Sequence, residues 1–318
     1  MVRFVPQAAL PAGRVACRSA RITPASCVSV GGRPARVLAA GPGRLAFEVP
    51  PDATGGPQPV TIDGESVGSL VVAMRLATGF DQVDSPAVAP DGALYVTCSG
   101  TRADTPNVSV FRVGRDGERA PVARGIRGTT SVTTGPDGRV YVSSRFEGCV
   151  YRLADDGLAD PVVTGLGAPC GLAFDENGRL HVGDRTGTVF RVEQGRALPF
   201  AQLPPSVAAF HLVASPGGGF AVTAPTLAST DVVYRVSAGG EVTPHPPRFG
   251  RPQGLAYDAD GTLHVVDALA GDAAVYRIPD TGEPERVVTG PGLVGLAFRP
   301  DGEVVLATRE SLYTLTHF

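Results

Sequence analysis

The feature that most limits how this chain can fold is a turn that returns at a nearly fixed interval. The tripeptides PDG, PDG, ENG, GGG, ADG and PDG end at Gly92, Gly138, Gly178, Gly219, Gly261 and Gly302, separated by 46, 40, 41, 42 and 41 residues. A period of about 20–50 residues marks a supersecondary unit that buries its apolar surface only by packing on its neighbours. Each turn follows a short apolar run, such as GLAF or GLAY, and precedes an alternating run, such as RVYVSS, RLHVGD or TLHVVD. A second alternating run returns as VFRV, VYRL, VFRV, VYRV, VYRI or LYTL, and most units close on a fourth, as in DPVVTGL or ERVVTG. Alternation with period two marks strands, and Asp-Gly supplies the positive φ that tight hairpin turns need. No 3.6-residue period, which would signal the helices of a solenoid, accompanies it. The chain is therefore all-β. Six units of about 41 residues, each with four antiparallel strands, predict a six-bladed β-propeller.

The last unit reaches Phe318 after only three strands. The run Val71-Val72-Ala73-Met74-Arg75-Leu76 precedes the first unit and is its natural fourth strand. Residues 71–318 are thus assigned to the propeller, with about 71–79 closing the last blade and protecting its edges. Residues 1–70 have their own pattern of short strands between Gly/Pro turns (GRVACRS, GRLAFEVP, PQPVTIDG), which predicts a small β-sandwich.

Composition removes several functions. All 28 basic residues are arginine, so neither a Schiff-base lysine nor a P-loop lysine exists. There is no tryptophan for a Trp-Asp propeller signature. The net charge of -3, with signs interspersed, gives no footprint for nucleic acid. Apolar runs stay far below the roughly 20 residues that span a bilayer, so no membrane partner is expected. The N-terminal MVRFVPQAALPAGRV lacks an apolar leader core, so a cytoplasmic protein is expected. Five cysteines without a CxxC pattern point to reduced thiols, with a Cys17–Cys27 pairing within the first domain as the alternative.

The early PAGRV, the central VSVGGRPARV and RLAFEVPPDATGGPQPVTI give residues 1–70 a resemblance to IPT/TIG-type immunoglobulin-like domains. That implies a spacer or a surface for protein contact. GLAFDENGRLHVGD and GLAYDADGTLHVVD make residues 71–318 similar to the six-bladed propellers of the senescence-marker/gluconolactonase family and of NHL repeats. That resemblance implies a small-molecule substrate, hydrolysis of a lactone, and a divalent cation held by oxygen ligands in the propeller mouth. The family's Glu, Asn and Asp ligand positions fall on Asp84, Cys170 and His211, and its second-blade Asn falls on Thr130. Asp, Cys and His suit zinc or another transition metal better than calcium, which takes six to eight hard oxygens. A fourth position would hold a water whose pKa the metal lowers.

Propeller geometry locates the mouth independently of that resemblance. The residue eight before each turn glycine begins the inner strand: Asp84, Thr130, Cys170, His211, Gln253 and Val294. The residue six after it ends the second strand: Cys98, Ser144, Asp184, Pro225, Asp267 and Thr308. Both sets are expected at one opening. Asp184 and Asp267 are the candidate general bases, with capping of backbone amides as their structural alternative. Thr130, Gln253, Arg145 and Asn107 are the candidate substrate contacts, Asn107 from the long SGTRADTPN loop, which with Arg102 and Asp104 could form a lid. Arg145 could instead pair with Glu147. Cys170 could serve as a thiolate nucleophile with His211 as its base, or be a small buried hydrophobe. His181 and His264 alternate within second strands and read as blade packing, and Arg112, Arg152, Arg191, Arg235 and Arg277 recur as blade-face residues. His245 and His317 have no visible role. Three functions remain open: a metal-assisted lactone or ester hydrolase, a non-catalytic NHL-type binding propeller, and a propeller turned to lyase or isomerase chemistry.

Overall fold

The computed structural model describes residues 2–279 and 281–316. Among them every regular element is a strand, and no helix is long and apolar enough to cross a membrane. His317 and Phe318 lie outside the described residues.

Five four-stranded antiparallel sheets form blades of a β-propeller. The second unit is representative: Thr129–Thr134, Val140–Ser144, Cys149–Leu153 and Ala159–Val163 pair in chain order. The second strands are buried on both faces, as in Val140–Ser144, Leu180–Asp184 and Leu263–Asp267. Stacked blades cover both faces of each sheet, which is why these runs tolerate only apolar or hydrogen-bonded side chains. Turn glycines Gly92, Gly138, Gly178, Gly261 and Gly302 sit at φ of 81°, 73°, 73°, 79° and 85°. A side chain is strained at such angles, so the turn holds the glycine and the glycine fixes the period.

Another meander, Pro252–Tyr257, Leu263–Asp267, Ala274–Ile278 and Glu285–Thr289, has the same antiparallel order but is not a separate sheet. Its outer strand pairs in parallel with Ala8–Ala9, which also pairs in parallel with Glu65–Val72 (Ala8 opposite Val288 and Val71). The front strands and this meander thereby merge into one 12-stranded sheet. The sheet of Leu293–Phe298, Val304–Thr308 and Ser311–Leu315 is completed by Met74–Thr78, with Ser311 opposite Thr78. The completing strand thus begins at Met74, while Val71 and Val72 stay in the front sheet.

The front strands have their own core, in which Val30, Phe47, Val60 and Leu70 are fully buried. Ala8, Leu10 and Ala73 belong instead to the core of the last two meanders. Between blades, His181 lies against Phe200 and Phe220, with centroids 4.8 and 4.5 Å away, and His264 lies 4.9 Å from Phe298. The recurrent arginines lie on blade faces, where Arg112 pairs with Asp91, Arg191 with Glu193 and Arg277 with Glu285. Five free thiols are present, and Cys17 is buried while Cys27 is exposed.

Hydroxyls on three of the second strands tie their sheets to the next inner strand. Thr97 Oγ1 donates to Thr130 O at 2.9 Å, Ser143 Oγ to Cys170 O at 3.2 Å, and Thr223 Oγ1 to Gln253 O at 2.6 Å. Each such bond contributes about 1 kcal/mol. Together they fix the inner strands that line the channel.

Candidate functional site

The inner strands carry a register that the spacing of glycines misses at one unit. Gly138 N donates to Gly135 O and Gly178 N to Asp175 O, and the matching bond in the fourth unit runs from Gly218 N to Ser215 O. The turn glycine there is Gly218, not Gly219. Strand pairing agrees: Thr134 opposes Val140, Phe174 opposes Leu180, and Ala214 opposes Phe220. Phe210 therefore stands where Cys170 and Thr130 stand in their units, and His211 stands one place later. The residues at that later place are Ser85, Ser131, Gly171, His211, Gly254 and Gly295. Five are small and one is histidine. The ring is tight at this level, since a Cβ on Gly254 would come 2.5 Å from Ser85 Oγ and one on Gly295 2.6 Å from Ser85 Cα. Only the fourth unit puts a large polar side chain there.

His211 meets Asp84. Its Nε2 lies 3.2 Å from Asp84 Oδ1, an ion-pair distance without hydrogen-bond alignment, and both side chains are largely buried. Ser85 N donates to Asp84 Oδ1 at 2.8 Å. Burial raises the Asp84 pKa above the usual carboxylate value, an effect that His211, the Ser85 amide and Arg145 oppose. Burial lowers the His211 pKa, and Asp84 opposes that shift. The pair therefore favours a neutral imidazole beside a carboxyl that takes up a proton more readily than usual.

Asp84 separates two cavities along the channel. The mouth cavity, about 650 Å³, is lined by Asp84, Thr130, Arg145, Gln253 and Val294, and by Arg14 and Glu48 from the front strands. The opposite cavity, about 510 Å³, is lined by Asp84, Cys170 and His211. The expected inner set is thus divided, with Asp84 alone on both sides.

Other expected residues are placed differently. Asp184 Oδ2 accepts from Ala168 N at 2.7 Å and Oδ1 from Thr186 N at 2.9 Å. Asp267 Oδ2 accepts from Gly250 N at 3.0 Å and Oδ1 from Arg251 N at 2.6 Å. Both carboxylates cap loops and neither lines either of these two cavities, although the spacing suggested that second-strand ends open on the mouth. Asn107 is exposed and lines neither cavity, and its backbone oxygen accepts from Arg124 Nη1 at 3.1 Å. Arg102 of the same loop stacks on Phe146 at 5.2 Å. Thr130 reaches the mouth, but its hydroxyl is engaged with Ser143 Oγ at 2.9 Å and Pro169 O at 3.1 Å. Gln253 also lines the mouth. Arg145 stacks on Phe146 at 4.7 Å and does not pair with Glu147, whose carboxylate accepts from Ser144 and Tyr151 hydroxyls at 2.9 and 3.2 Å.

The donor set expected for zinc does not assemble. Among the described residues, no three His, Cys, Asp or Glu side chains converge to hold a metal ion. Asp84 and His211 touch, but the Cys170 thiol is 2% exposed and burial pushes its pKa up to about 11. A thiol so protonated at neutral pH is a weak nucleophile.

The glycine spacing did hold one unread signal. The residue seven after the turn glycine, just beyond each second strand, is Ser99, Arg145, Arg185, Ala268 or Arg309 in five of the units. Arg145 and Arg309 both line the mouth cavity.

No family model matches the chain, and no curated protein matches it in sequence. Solved structures resemble it at low identity. An auxiliary nutrient-binding protein from Bacteroides thetaiotaomicron is 12% identical over 98% of this chain and 96% of that one, with a TM-score of 0.58. A gluconolactonase from Xanthomonas campestris is 16% identical over 76% of this chain and 88% of that one, with a TM-score of 0.64. A virginiamycin B lyase from Staphylococcus aureus is 14% identical over 74% of this chain and 94% of that one, with a TM-score of 0.54. At such identities the likeness establishes the propeller fold, and function must come from the site.

Proposed function

We propose that the merged meander of residues 252–289 is the sixth blade, that residues 1–70 form an IPT/TIG-type immunoglobulin-like domain, and that the propeller mouth hydrolyses a lactone or small ester. One observation carries the activity: the buried carboxyl of Asp84 lines the mouth cavity of about 650 Å³, with His211 3.2 Å away on the side of the opposite cavity. A carboxylate with a raised pKa suits proton transfer near neutral pH. Asp84 takes the proton from a water attacking the substrate carbonyl and returns it to the departing alkoxide. Arg145, close enough to act electrostatically on Asp84, faces the oxygen on which negative charge develops. His211 lies behind the carboxyl and is a positioning residue, holding Asp84 toward the mouth. The two touching donors are too few for a metal site, so no step is assigned to a metal.

The gluconolactonase likeness supports this reading at the level of architecture, and the lyase likeness marks elimination as the neighbouring chemistry. A second reading, a non-catalytic ligand-binding propeller, is favoured by the capping roles of Asp184 and Asp267 and by the likeness of both parts of the chain to a nutrient-binding protein. A screen of small lactones and aryl esters with wild type and Asp84→Asn separates the two. Turnover lost in the variant supports hydrolysis. No turnover by wild type across the screen leaves the binding reading.

A further inference from the structure

Four arginines line the mouth cavity: Arg145, Arg251 and Arg309 from the propeller and Arg14 from the front strands. None of the four forms a salt bridge among the described residues, whereas blade-face arginines such as Arg112, Arg139 and Arg277 do. Three carboxylates share the cavity, and two are already engaged. Glu48 pairs with Arg36 at 2.6 Å, and Asp272 with Arg286 at 2.5 Å. The third, Asp84, faces His211. The mouth therefore carries an excess of positive charge that the protein does not neutralise.

The charge is also held in place. Arg145 N donates to Gly128 O at 3.0 Å, and Val83 N donates to Arg309 O at 3.0 Å. Arg251 N donates to the Asp267 carboxylate at 2.6 Å and Ala268 N donates to Arg251 O at 2.9 Å, so Asp267 fixes the loop that presents Arg251. Thr289 Oγ1 donates to Arg14 O at 2.8 Å, which locks the front strands against the rim. Arg145 Nε is buried without a hydrogen-bond partner, and Arg102 and Arg185 add repulsion to the burial that lowers the Arg145 pKa. Guanidinium forks read carboxylate and phosphate oxygens in pairs, a match that a neutral ester leaves unused.

We infer that the mouth binds a small anion carrying two or more carboxylate or phosphate groups, held by Arg145, Arg251 and Arg309 and closed over by Arg14 of the front strands. This rests on the proposed function only in placing the ligand at this mouth, and it requires no turnover.

Calorimetric titration of the full chain with citrate and with inorganic pyrophosphate at low salt tests it. At least one probe is expected to saturate at one site. Citrate alone would mark a carboxylate ligand and pyrophosphate alone a phosphate ligand, either supporting the inference. Arg145→Gln should weaken binding about tenfold or more, and Arg14→Gln by about three- to tenfold. Asp84→Asn should bind at least as tightly as wild type, since it removes an opposing charge. Arg139→Gln, on a blade face, should bind as wild type does, and thermal melts confirm that each variant folds. No saturable binding of either probe up to about 10 mM overturns the inference, as does equal weakening by Arg139→Gln and Arg145→Gln. Unchanged binding by Arg14→Gln removes the front strands from the site. Anion binding without ester turnover leaves this inference standing and ends the hydrolase reading, while ester turnover without anion binding does the reverse.

Discussion

His181 and His211 are buried histidines on strands of adjacent blades, and burial lowers the pKa of both. Their surroundings differ. His181 is enclosed by Phe200 and Phe220, and its Nδ1 lies 3.2 Å from Arg179 O, so its ring is a packing element with one polar anchor. His211 lines a cavity, faces a carboxyl and stands alone in a ring of small residues. The aspartates divide in the same way. Asp184 and Asp267 have both oxygens engaged by backbone amides of their own blade, whereas Asp84 has one such bond and faces the channel. Burial and residue type do not separate scaffold from site here. What separates them is whether the polar atoms are consumed by the blade or left facing open space.

The comparison can be broken by substitution, and the largest expected effect is on catalysis. Asp84→Asn should lower kcat/KM on a responsive lactone or aryl ester by about 10²–10⁴, the range of a lost proton-transfer group, with little change in melting temperature. Asp184→Asn in the same assay should retain activity within about threefold. Comparable losses would erase the distinction between channel and blade carboxylates. Next in size, Asp184→Ala should destabilise the fold by about 2–4 kcal/mol in urea titration, because two loop amides lose their acceptor in a buried site. His181→Ala should cost about 1.5–3 kcal/mol through lost ring contacts, and His211→Ala less, because its ring already borders a cavity. An equal cost at both positions would show that His211 is packing as well.

The pH dependence should be gentler. The proposed hydrolysis would need ionised Asp84, so activity should rise with pH through a range above the ordinary carboxylate value, with the midpoint lower in His211→Lys, whose cation would favour the charged form. Stability behaves differently. His181, His211 and His264 have folded pKa values below that of the unfolded chain, about 6.5. The unfolded state then binds protons that the native state does not, so their contribution is present above about pH 6.5 and is lost as pH falls through the folded values. Denaturation midpoints between about pH 5 and 8 check this, and His181→Gln should flatten the slope. The smallest expected effect is that of chelation. Dialysis against EDTA should alter activity by less than about twofold, and a larger loss restored by zinc would bring back the site expected at Asp84, Cys170 and His211.

The sequence by itself determined the repeat, because strand alternation and a glycine at positive φ are local properties of the chain. It pointed to Asp84, Thr130 and Gln253 at the mouth for the same reason, since their distances from a turn translate directly into height along a strand, whereas Arg145 was drawn only from its loop. It could not choose between Gly218 and Gly219, which both adopt positive φ, and a one-residue choice decides whether His211 or Phe210 is the counterpart of Cys170. Nor could it tell that the carboxylates of Asp184 and Asp267 would be used up by neighbouring loops, while that of Asp84 would not. Tertiary structure decided the pairing of Asp84 with His211 and the entry of Arg14 into the rim, through the closing strand Met74–Thr78 and the parallel docking of Ala8–Ala9. The physical reason is range. Repeat geometry is written within about 41 residues, whereas a channel site forms from side chains of different blades that meet only when the ring closes.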